Sequence, residues 1–334
     1  MAKVVSSQIE DATNSISKIQ DNSLFFKKFS ILEKHSLISL IGNTPLIPIQ
    51  TDHFNINSEV KIFAKAEWLN PGGSVKDRPA WFMVRNAIRS GEIFDEYGQL
   101  KYLVDASSGN TAIGYGLVSS ILGLKLKLFM PKNASIERIK TLKAYGVELV
   151  LTDPSEGIDG AINAVRTYSK NYPDCLYLDQ YNNDWNWKAH YYTTGKEIIK
   201  QTFNKVTHFI STLGTSGTFM GVGKRLREEL SNKVKLIAIQ PDSPFHGIEG
   251  LKHMESSITP GIYDKNFPDQ IQLCSTKEAE KYARILSKQG IFVGTSSGAS
   301  MAVSLKIAEE IESGIIVTIF PDRGERYLST HLWD

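Results

Sequence analysis

The chain has 334 residues, of which 41% are hydrophobic and 22% charged, with 38 basic and 36 acidic side chains. This size and composition predict a globular protein of about two domains, and the near-balance of charge argues against a nucleic-acid partner. No signal peptide is recognisable at the N-terminus, and no apolar run reaches the roughly 20 residues that a membrane span needs. We therefore expect a cytoplasmic protein with no membrane partner.

Cysteine and histidine patterns bear on metal and disulfide chemistry. The two cysteines, Cys175 and Cys274, form no CxxC pair, and the seven histidines form no HExxH motif. This pattern argues against a disulfide scaffold and against a bound metal.

The first 35 residues are polar overall, and the apolar residues at positions 5, 9, 12, 16 and 19 have helical spacing, which predicts an amphipathic helical extension. From about residue 36, short apolar segments that resemble strands alternate with segments of helical pattern. Such alternation predicts parallel sheets covered by helices on both faces. Strands are predicted at 60–65, 102–105, 125–130, 147–151, 176–179, 208–212, 235–240 and 315–320. Helices are predicted at 80–90, 111–122, 135–145, 157–171, 193–203, 219–230, 276–289 and 300–312.

A Pro-Gly-Gly turn at residues 71–73 brings one lysine, Lys76, to the start of a helix. Pro79 places that start, because proline is tolerated in the first helical turn but not in the interior, and Asp77 is the expected N-cap. Partial burial and the positive end of the helix dipole should lower the lysine's pKa. A neutral amine is what a Schiff base with an aldehyde cofactor requires.

Two further segments sit between a strand and a helix, where backbone N–H groups can bind an anion. Residues 107–111 add short polar side chains suited to a carboxylate, although they also suit an ordinary cap. Residues 214–218 contain glycines that let the backbone approach a phosphate, but they match neither a Walker A loop nor a GxGxxG fingerprint. Residues 294–299 also precede a helix. Residues 321–327 lie at the end of the last strand, at the edge of a parallel sheet where ligands collect.

One lysine, one phosphate loop and one carboxylate loop form a coherent set. They suit a cofactor with an aldehyde and a phosphate, acting on an amino acid, which is pyridoxal 5′-phosphate chemistry. The motifs resemble, in order, those of the fold type II pyridoxal-phosphate enzymes of the cysteine synthase and cystathionine β-synthase family, nearest the cysteine synthase B type. The likeness runs from residues 41–46 to 327–330.

The resemblance implies a tryptophan synthase β-like fold with two interleaved three-layer α/β/α domains. It places residues 36–74 and 187–334 in a large phosphate-binding domain, residues 75–186 in a smaller mobile substrate domain, and residues 1–35 in an extension. It also implies a homodimer, and a serine acetyltransferase tail as a further protein partner.

Site roles follow from the same resemblance. Lys76 would be the catalytic lysine that bonds the cofactor, and Ser296 would face the pyridine nitrogen. The remaining cofactor-binding residues would be Asn110, Gly214, Thr215, Ser216, Gly217 and Thr218. The substrate-binding residues would be Ser107, Ser108, Gly109, Asn110, Thr111, Gln180 and Lys252.

The implied reaction is a β-replacement that makes L-cysteine from O-acetylserine or O-phosphoserine, through an aminoacrylate, with sulfide or thiosulfate as sulfur donor. The family usually has threonine at position 107 and glycine at 112, where this chain has serine and alanine. Pro79 resembles the branch that uses glutamate to make diaminopropionate precursors. Homocysteine as nucleophile, a serine or threonine dehydratase and a non-catalytic regulatory homologue remain alternatives.

Overall fold

The computed structural model describes residues 22–334, so the predicted apolar stripe at positions 5, 9, 12, 16 and 19 lies outside the described part. Two β-sheets organise the chain. The larger contains β1 (Leu46–Pro48), β2 (Val60–Ala66), β7 (His208–Thr212), β8 (Lys235–Pro241), β9 (Gln270–Cys274) and β10 (Gly314–Phe320). The smaller contains β3 (Tyr102–Ala106), β4 (Leu126–Pro131), β5 (Glu148–Thr152) and β6 (Cys175–Tyr177).

The strand orders are β1-β2-β10-β7-β8-β9 and β5-β4-β3-β6. Strand β1 runs antiparallel to β2, and the other pairings in both sheets are parallel. The ten described helices are α1 (22–35), α2 (Asp77–Arg89), α3 (Asn110–Leu122), α4 (Ile136–Ala144), α5 (Gly157–Asn171), α6 (Asp184–Tyr192), α7 (Thr194–Gln201), α8 (Gly217–Leu230), α9 (Thr276–Lys288) and α10 (Thr295–Glu309).

Alternating side chains bury both faces of the larger sheet. Ile316 of β10 packs in a cluster with α9 and α10, whereas its neighbour Val317 packs in a second cluster with α7 and α8. Because successive residues of a strand point to opposite faces, this alternation produces helix, sheet and helix layers.

The smaller sheet is covered in the same way. Leu103 of β3 packs with α2 and α3, and Val104 packs with α5. Phe29 of α1 belongs to the first of these clusters, so the N-terminal helix packs on the unit of the smaller sheet. The expected α/β fold with mostly parallel, doubly covered sheets is therefore confirmed.

Several elements differ from the sequence-based predictions. Helix α6 and strands β1 and β9 were not predicted, and α10 begins at Thr295, five residues before the expected position. Among residues 22–334, no helix has the length and apolar character needed to cross a bilayer.

Candidate active site

A cavity of about 340 Å³ is lined by residues from the units of both sheets. The ends of strands β3, β4, β7 and β10 lead into it, which is where ligands bind in open parallel sheets. Of the predicted site residues, all line the cavity except Ser216 and Gly217.

Lys76 is partly buried and lines this cavity. Its segment is fixed by a hydrogen bond from the Val75 backbone N–H to the carbonyl of Pro321, at the end of β10 (2.8 Å). Burial lowers the pKa of Lys76 to about 8, although Asp322 and Glu67 act in the opposite direction. The pKa of Lys76 is thus lowered, as the sequence analysis expected, and burial is the main cause of the shift.

The helix start differs in one detail from the prediction. Lys76 occupies the N-cap position of α2, and Asp77 is the first helical residue, so Asp77 is not the N-cap. Its carboxylate instead reaches back across the turn and accepts a hydrogen bond from the Gly72 backbone N–H (2.5 Å). The aspartate therefore closes the turn rather than capping the helix, while Pro79 does lie in the first helical turn, as predicted.

A buried ionic network supports the lysine turn. Arg78 pairs with Glu67 (2.7 Å) and with Glu197 (2.6 Å), and Lys65 pairs with Glu197 (2.6 Å). Burial alone would raise the pKa of Glu67, but the charge of Arg78 lowers it to about 2. Glu67 also accepts a hydrogen bond from the side chain of Asn70 (2.9 Å), which connects the network to the turn.

Residues 214–218, hereafter the phosphate loop, join β7 to α8. A Cβ at Gly214 would overlap the carbonyl oxygen of Gly250, so only glycine allows this approach. Ser216 has a φ of 66°, in the left-handed region, and its buried hydroxyl has no hydrogen-bond partner within residues 22–334. The Gly217 N–H at the start of α8 donates to the Thr215 hydroxyl oxygen (3.5 Å). Because the N–H groups of a first helical turn lack partners within the helix, the start of α8 makes this loop a candidate anion site.

Residues 107–111, hereafter the substrate loop, join β3 to α3. The Ser107 hydroxyl oxygen accepts a hydrogen bond from the Ala112 backbone N–H (3.2 Å), so this serine also caps the loop from inside. Gln180 lies beside it, because the Gln180 side-chain amide donates to the carbonyl of Ala106 (2.7 Å). The structure thus brings together the two segments that were predicted to hold a carboxylate.

Asp105, which the sequence analysis did not single out, lies beneath the substrate loop. Its buried carboxylate accepts hydrogen bonds from the Tyr115 hydroxyl (2.7 Å) and from the backbone N–H groups of Ala106 (2.7 Å) and Gln180 (3.2 Å). Burial raises the pKa of Asp105 to about 7, although these hydrogen bonds favour the charged form.

Asp322 and Ser296 lie on the side of the cavity formed by the larger sheet. Asp322 accepts hydrogen bonds from the Asn110 side chain (2.7 Å) and the Tyr327 hydroxyl (2.7 Å). Its second carboxylate oxygen is buried and has no hydrogen-bond partner within the described residues. Ser296, in the first turn of α10, is buried against the cavity. Asn110 also accepts a hydrogen bond from Arg326, so its side chain is held from both ends.

Residues 247–253, hereafter the cavity loop, carry two charged groups that pair with the unit of the smaller sheet. Glu249 pairs with Arg138 of α4, and Lys252 pairs with Asp159 of α5 (3.1 Å). Lys252 lines the cavity as predicted, but its ammonium is already bound to Asp159. Arg138 was not predicted, since one arginine within a helical pattern carries no distinctive sequence signal.

The described residues contain no group of three or more side chains that could hold a metal ion. The cavity brings together one lysine amine and two loops able to bind anions.

Comparison with known proteins agrees with this geometry. Residues 37–322 match the family model described as pyridoxal-phosphate dependent enzyme. The chain is 48% identical over 307 residues to a cysteine synthase of Aquifex aeolicus, covering 90% of this chain and 92% of the relative. It is 40% identical to cysteine synthase B of Salmonella typhimurium, covering 89% and 95%.

A solved structure of cysteine synthase from Entamoeba histolytica superposes with a TM-score of 0.84 at 37% identity, covering 90% of each chain. Family match, sequence identity and fold thus agree over most of the chain. The chain belongs to the pyridoxal-phosphate-dependent enzyme family.

Proposed function

We propose that the protein makes L-cysteine by β-replacement, from O-acetylserine or O-phosphoserine and a sulfur donor, sulfide or thiosulfate. The observation that carries this proposal is the position of Lys76, an amine with a pKa of about 8 in a cavity between two anion-binding loops. The named activity of the Aquifex relative, cysteine synthase, supports the same reaction.

The residues around the cavity fit pyridoxal phosphate. The close approach at Gly214, the unpartnered Ser216 hydroxyl and the N–H groups of α8 suit its phosphate. At the other end, we assign Ser296 to the pyridine nitrogen and Asn110 to the ring hydroxyl oxygen. When bound, the cofactor supplies an electron sink for negative charge at the amino acid's Cα. A serine partner, unlike a carboxylate, leaves the ring nitrogen neutral, which favours loss of a β substituent.

The amino-acid substrate would be oriented by its carboxylate. We assign that carboxylate to the hydroxyls of Ser107, Ser108 and Thr111, the backbone N–H groups around Gly109, and the side chain of Gln180. Held there, the substrate presents its Cα proton to the Lys76 amine. With a pKa of about 8, a substantial fraction of this amine is neutral near pH 7.5, as a general base requires.

The cavity loop bears on the choice of leaving group. Arg138 of α4 and Lys252 of the cavity loop both line the cavity, and each is paired with a carboxylate from the unit of the other sheet. We propose that Lys252 leaves its ion pair with Asp159 and then contacts the leaving group or an anionic sulfur donor.

Assembly and motion belong to the same proposal. We propose a cytoplasmic homodimer in which residues 75–186 move as a unit against residues 36–74 and 187–334. The smaller sheet lies wholly within the first range, which supports this division. A serine acetyltransferase tail would bind at the same cavity, since its terminal carboxylate would suit the substrate loop.

A product assay tests the function. The holoenzyme is incubated with each serine ester against sulfide, thiosulfate, homocysteine and glutamate, and the amino-acid products are quantified. We expect cysteine to form fastest with sulfide, or S-sulfocysteine with thiosulfate. Faster turnover with homocysteine or glutamate would contradict the assigned nucleophile, and tight binding of a serine acetyltransferase peptide without turnover would favour a regulatory protein.

A further inference from the structure

Helix α6 lies directly behind the phosphate loop, although none of its residues was assigned to the site. Asn186 and His190 are four residues apart, so they project from the same face of this helix. Both are buried, with 2% and 0% of their surface exposed. A Cβ at Gly217 or Gly221 would overlap atoms of Asn186 or Trp187, so these glycines allow α8 to approach α6.

Asn186 contacts Thr215 of the phosphate loop. Its side-chain nitrogen donates to the Gln180 carbonyl (2.6 Å) and to the Thr215 hydroxyl oxygen (3.1 Å). The carbonyl fixes the orientation of the amide, because a carbonyl can only accept a hydrogen bond. Since the Thr215 oxygen accepts this bond, the single hydrogen of its hydroxyl is free to point elsewhere, and Thr215 lines the cavity.

His190 contacts Thr218 in a comparable way. Ring atom Nε2 lies 3.2 Å from the Thr218 hydroxyl, and Nδ1 lies 2.9 Å from the Thr194 hydroxyl. Burial, helped by the charge of Arg78, lowers the pKa of His190 to about 3, so the ring is neutral and carries one N–H.

The contact with Thr194 decides where that hydrogen lies. Within residues 22–334, Nδ1 is the only hydrogen-bond partner of the buried Thr194 hydroxyl. If Nδ1 carried the hydrogen, the Thr194 hydroxyl would become an unsatisfied buried donor, which is costly. The hydrogen therefore belongs on Nε2, where it is donated to the Thr218 oxygen.

From these contacts, we propose that Asn186 and His190 are positioning residues that direct the hydroxyl hydrogens of Thr215 and Thr218 toward the cofactor phosphate. Each hydroxyl oxygen is occupied by a donor from α6, so each hydroxyl meets the phosphate as a donor only. The proposal rests on assigning the cofactor phosphate to residues 214–218. It adds a layer of residues that never touch the cofactor.

The test compares the affinities of the protein for pyridoxal phosphate and for pyridoxal, which lacks the phosphate. His190→Asn can place its amide oxygen near the Nδ1 position, where it accepts from the Thr194 hydroxyl, but it places no donor near the Nε2 position. His190→Gln can place its amide nitrogen, a donor, near the Nε2 position. A hydrogen bond to a charged group is stronger than one between neutral groups, and the Thr218 hydroxyl would donate to the charged phosphate. We therefore expect His190→Asn to reduce the preference for the phosphate form roughly 10- to 100-fold. The preference of His190→Gln should stay within about threefold of the wild-type value. His331→Asn, at an exposed position, should have the wild-type preference.

A double variant sharpens the result. Thr218→Val should show the same selective loss, and adding His190→Asn to it should cause no further loss, because both changes remove one interaction. Equal weakening of both cofactor forms by His190→Asn, or equal losses in the Asn and Gln variants, would overturn the proposal.

If His190→Asn does not fold, the wild-type holoenzyme still decides the question. With ¹⁵N-labelled histidine, NMR should find the His190 ring proton on Nε2, and finding it on Nδ1 would overturn the proposal. Neither measurement uses an amino-acid substrate, so both remain valid if the proposed cysteine synthesis is wrong. A wild type that binds both cofactor forms equally would refute the phosphate-loop assignment, and this proposal with it.

Discussion

The phosphate loop and the substrate loop face the same cavity but are supported by different kinds of interaction. Behind the phosphate loop lie neutral, buried partners, namely Asn186 and a histidine that does not ionise near neutral pH. Around the substrate loop lie ionisable groups: Asp105 beneath it, and the Arg138–Glu249 pair at its side. A cofactor is retained through turnover, whereas a substrate must enter and leave. We therefore expect pH and salt to act on substrate binding and to leave the preference of the phosphate loop for a phosphate group nearly unchanged.

The largest effect is expected from Lys76→Ala, which removes the amine between the two loops. Loss of a general base costs about 10²- to 10⁴-fold, so turnover should fall by about 10³-fold or more. The phosphate loop is untouched, so the variant should still prefer pyridoxal phosphate over pyridoxal. Steady-state kinetics and equilibrium dialysis measure the two properties. Lys61→Ala, at an exposed position of β2, is the control, and a Lys76→Ala protein with full turnover would refute the assigned mechanism.

The second effect concerns the pH dependence of cofactor attachment to Lys76. Only the neutral amine attacks an aldehyde, and the pKa of Lys76 is about 8. Below this pH the attachment rate should rise about tenfold per pH unit, and above it the rate should level off. Stopped-flow absorbance of cofactor-free protein mixed with pyridoxal phosphate measures this profile. A profile that keeps rising to pH 10 would show that burial does not lower the lysine's pKa.

The third effect concerns the support beneath the substrate loop. Tyr115→Phe removes a donor from the buried Asp105, so the free energy of unfolding should fall by about 1–3 kcal/mol. The KM for the amino-acid substrate should rise several-fold, while the preference for pyridoxal phosphate should not change. Chemical denaturation and steady-state kinetics test both statements, with Tyr172→Phe, at an exposed tyrosine, as the control.

The same variant has a defined pH signature. The pKa of Asp105 is raised in the folded protein, so the folded state binds its proton more tightly than the unfolded state. Stability contributed by this group is therefore present at low pH and is lost as pH rises through about 7. Because the Tyr115 hydroxyl favours the charged carboxylate, the penalty of Tyr115→Phe should be greater at pH 8 than at pH 5. A penalty that does not vary with pH would contradict this account.

The smallest effect is expected at the cavity loop. Glu249→Gln frees Arg138 for an anionic leaving group, so the preference for O-phosphoserine over O-acetylserine should rise about two- to fivefold, as expected for a partly exposed pair. The change should be larger at low salt. Ratios of kcat/KM at two salt concentrations measure it, with the exposed Glu255→Gln as control. An unchanged ratio at both concentrations would show that the charge of Arg138 does not act on the leaving group.

Much of this arrangement was accessible from the sequence, because glycines and short polar residues mark the turns that lead into helices. The phosphate loop and the substrate loop were located by such residues, and so was the turn before Lys76. Helix α6 was missed because aromatic residues lie all around it, so its sequence, DWNWKAHYY, lacks an apolar stripe. Its two polar residues at i and i+4 were the available signal, but that spacing has no meaning until a helix is recognised.

Contacts between residues that are distant in the chain could not be predicted, because sequence patterns report only on neighbouring residues. The role of Asp105 depends on Tyr115 and Gln180, and the pairing of Arg138 with Glu249 joins residues 111 positions apart. Asp77 shows the opposite error, since local cap statistics favoured an N-cap while its carboxylate closes the preceding turn. Domain boundaries and residue roles at the site remain predictions that the variants above can test.

The strand order of the larger sheet has a consequence for how the chain folds. Strand β10 is the last of the six strands in chain order, yet it lies between β2 and β7 at the centre of the sheet. Until residues 314–320 have left the ribosome, β2 and β7 both expose an open edge, whereas the four-stranded sheet already has all its strands. Unpaired edges and distant pairings slow folding and favour aggregation. Chains arrested before β10 should therefore need chaperone protection, while the smaller sheet assembles first.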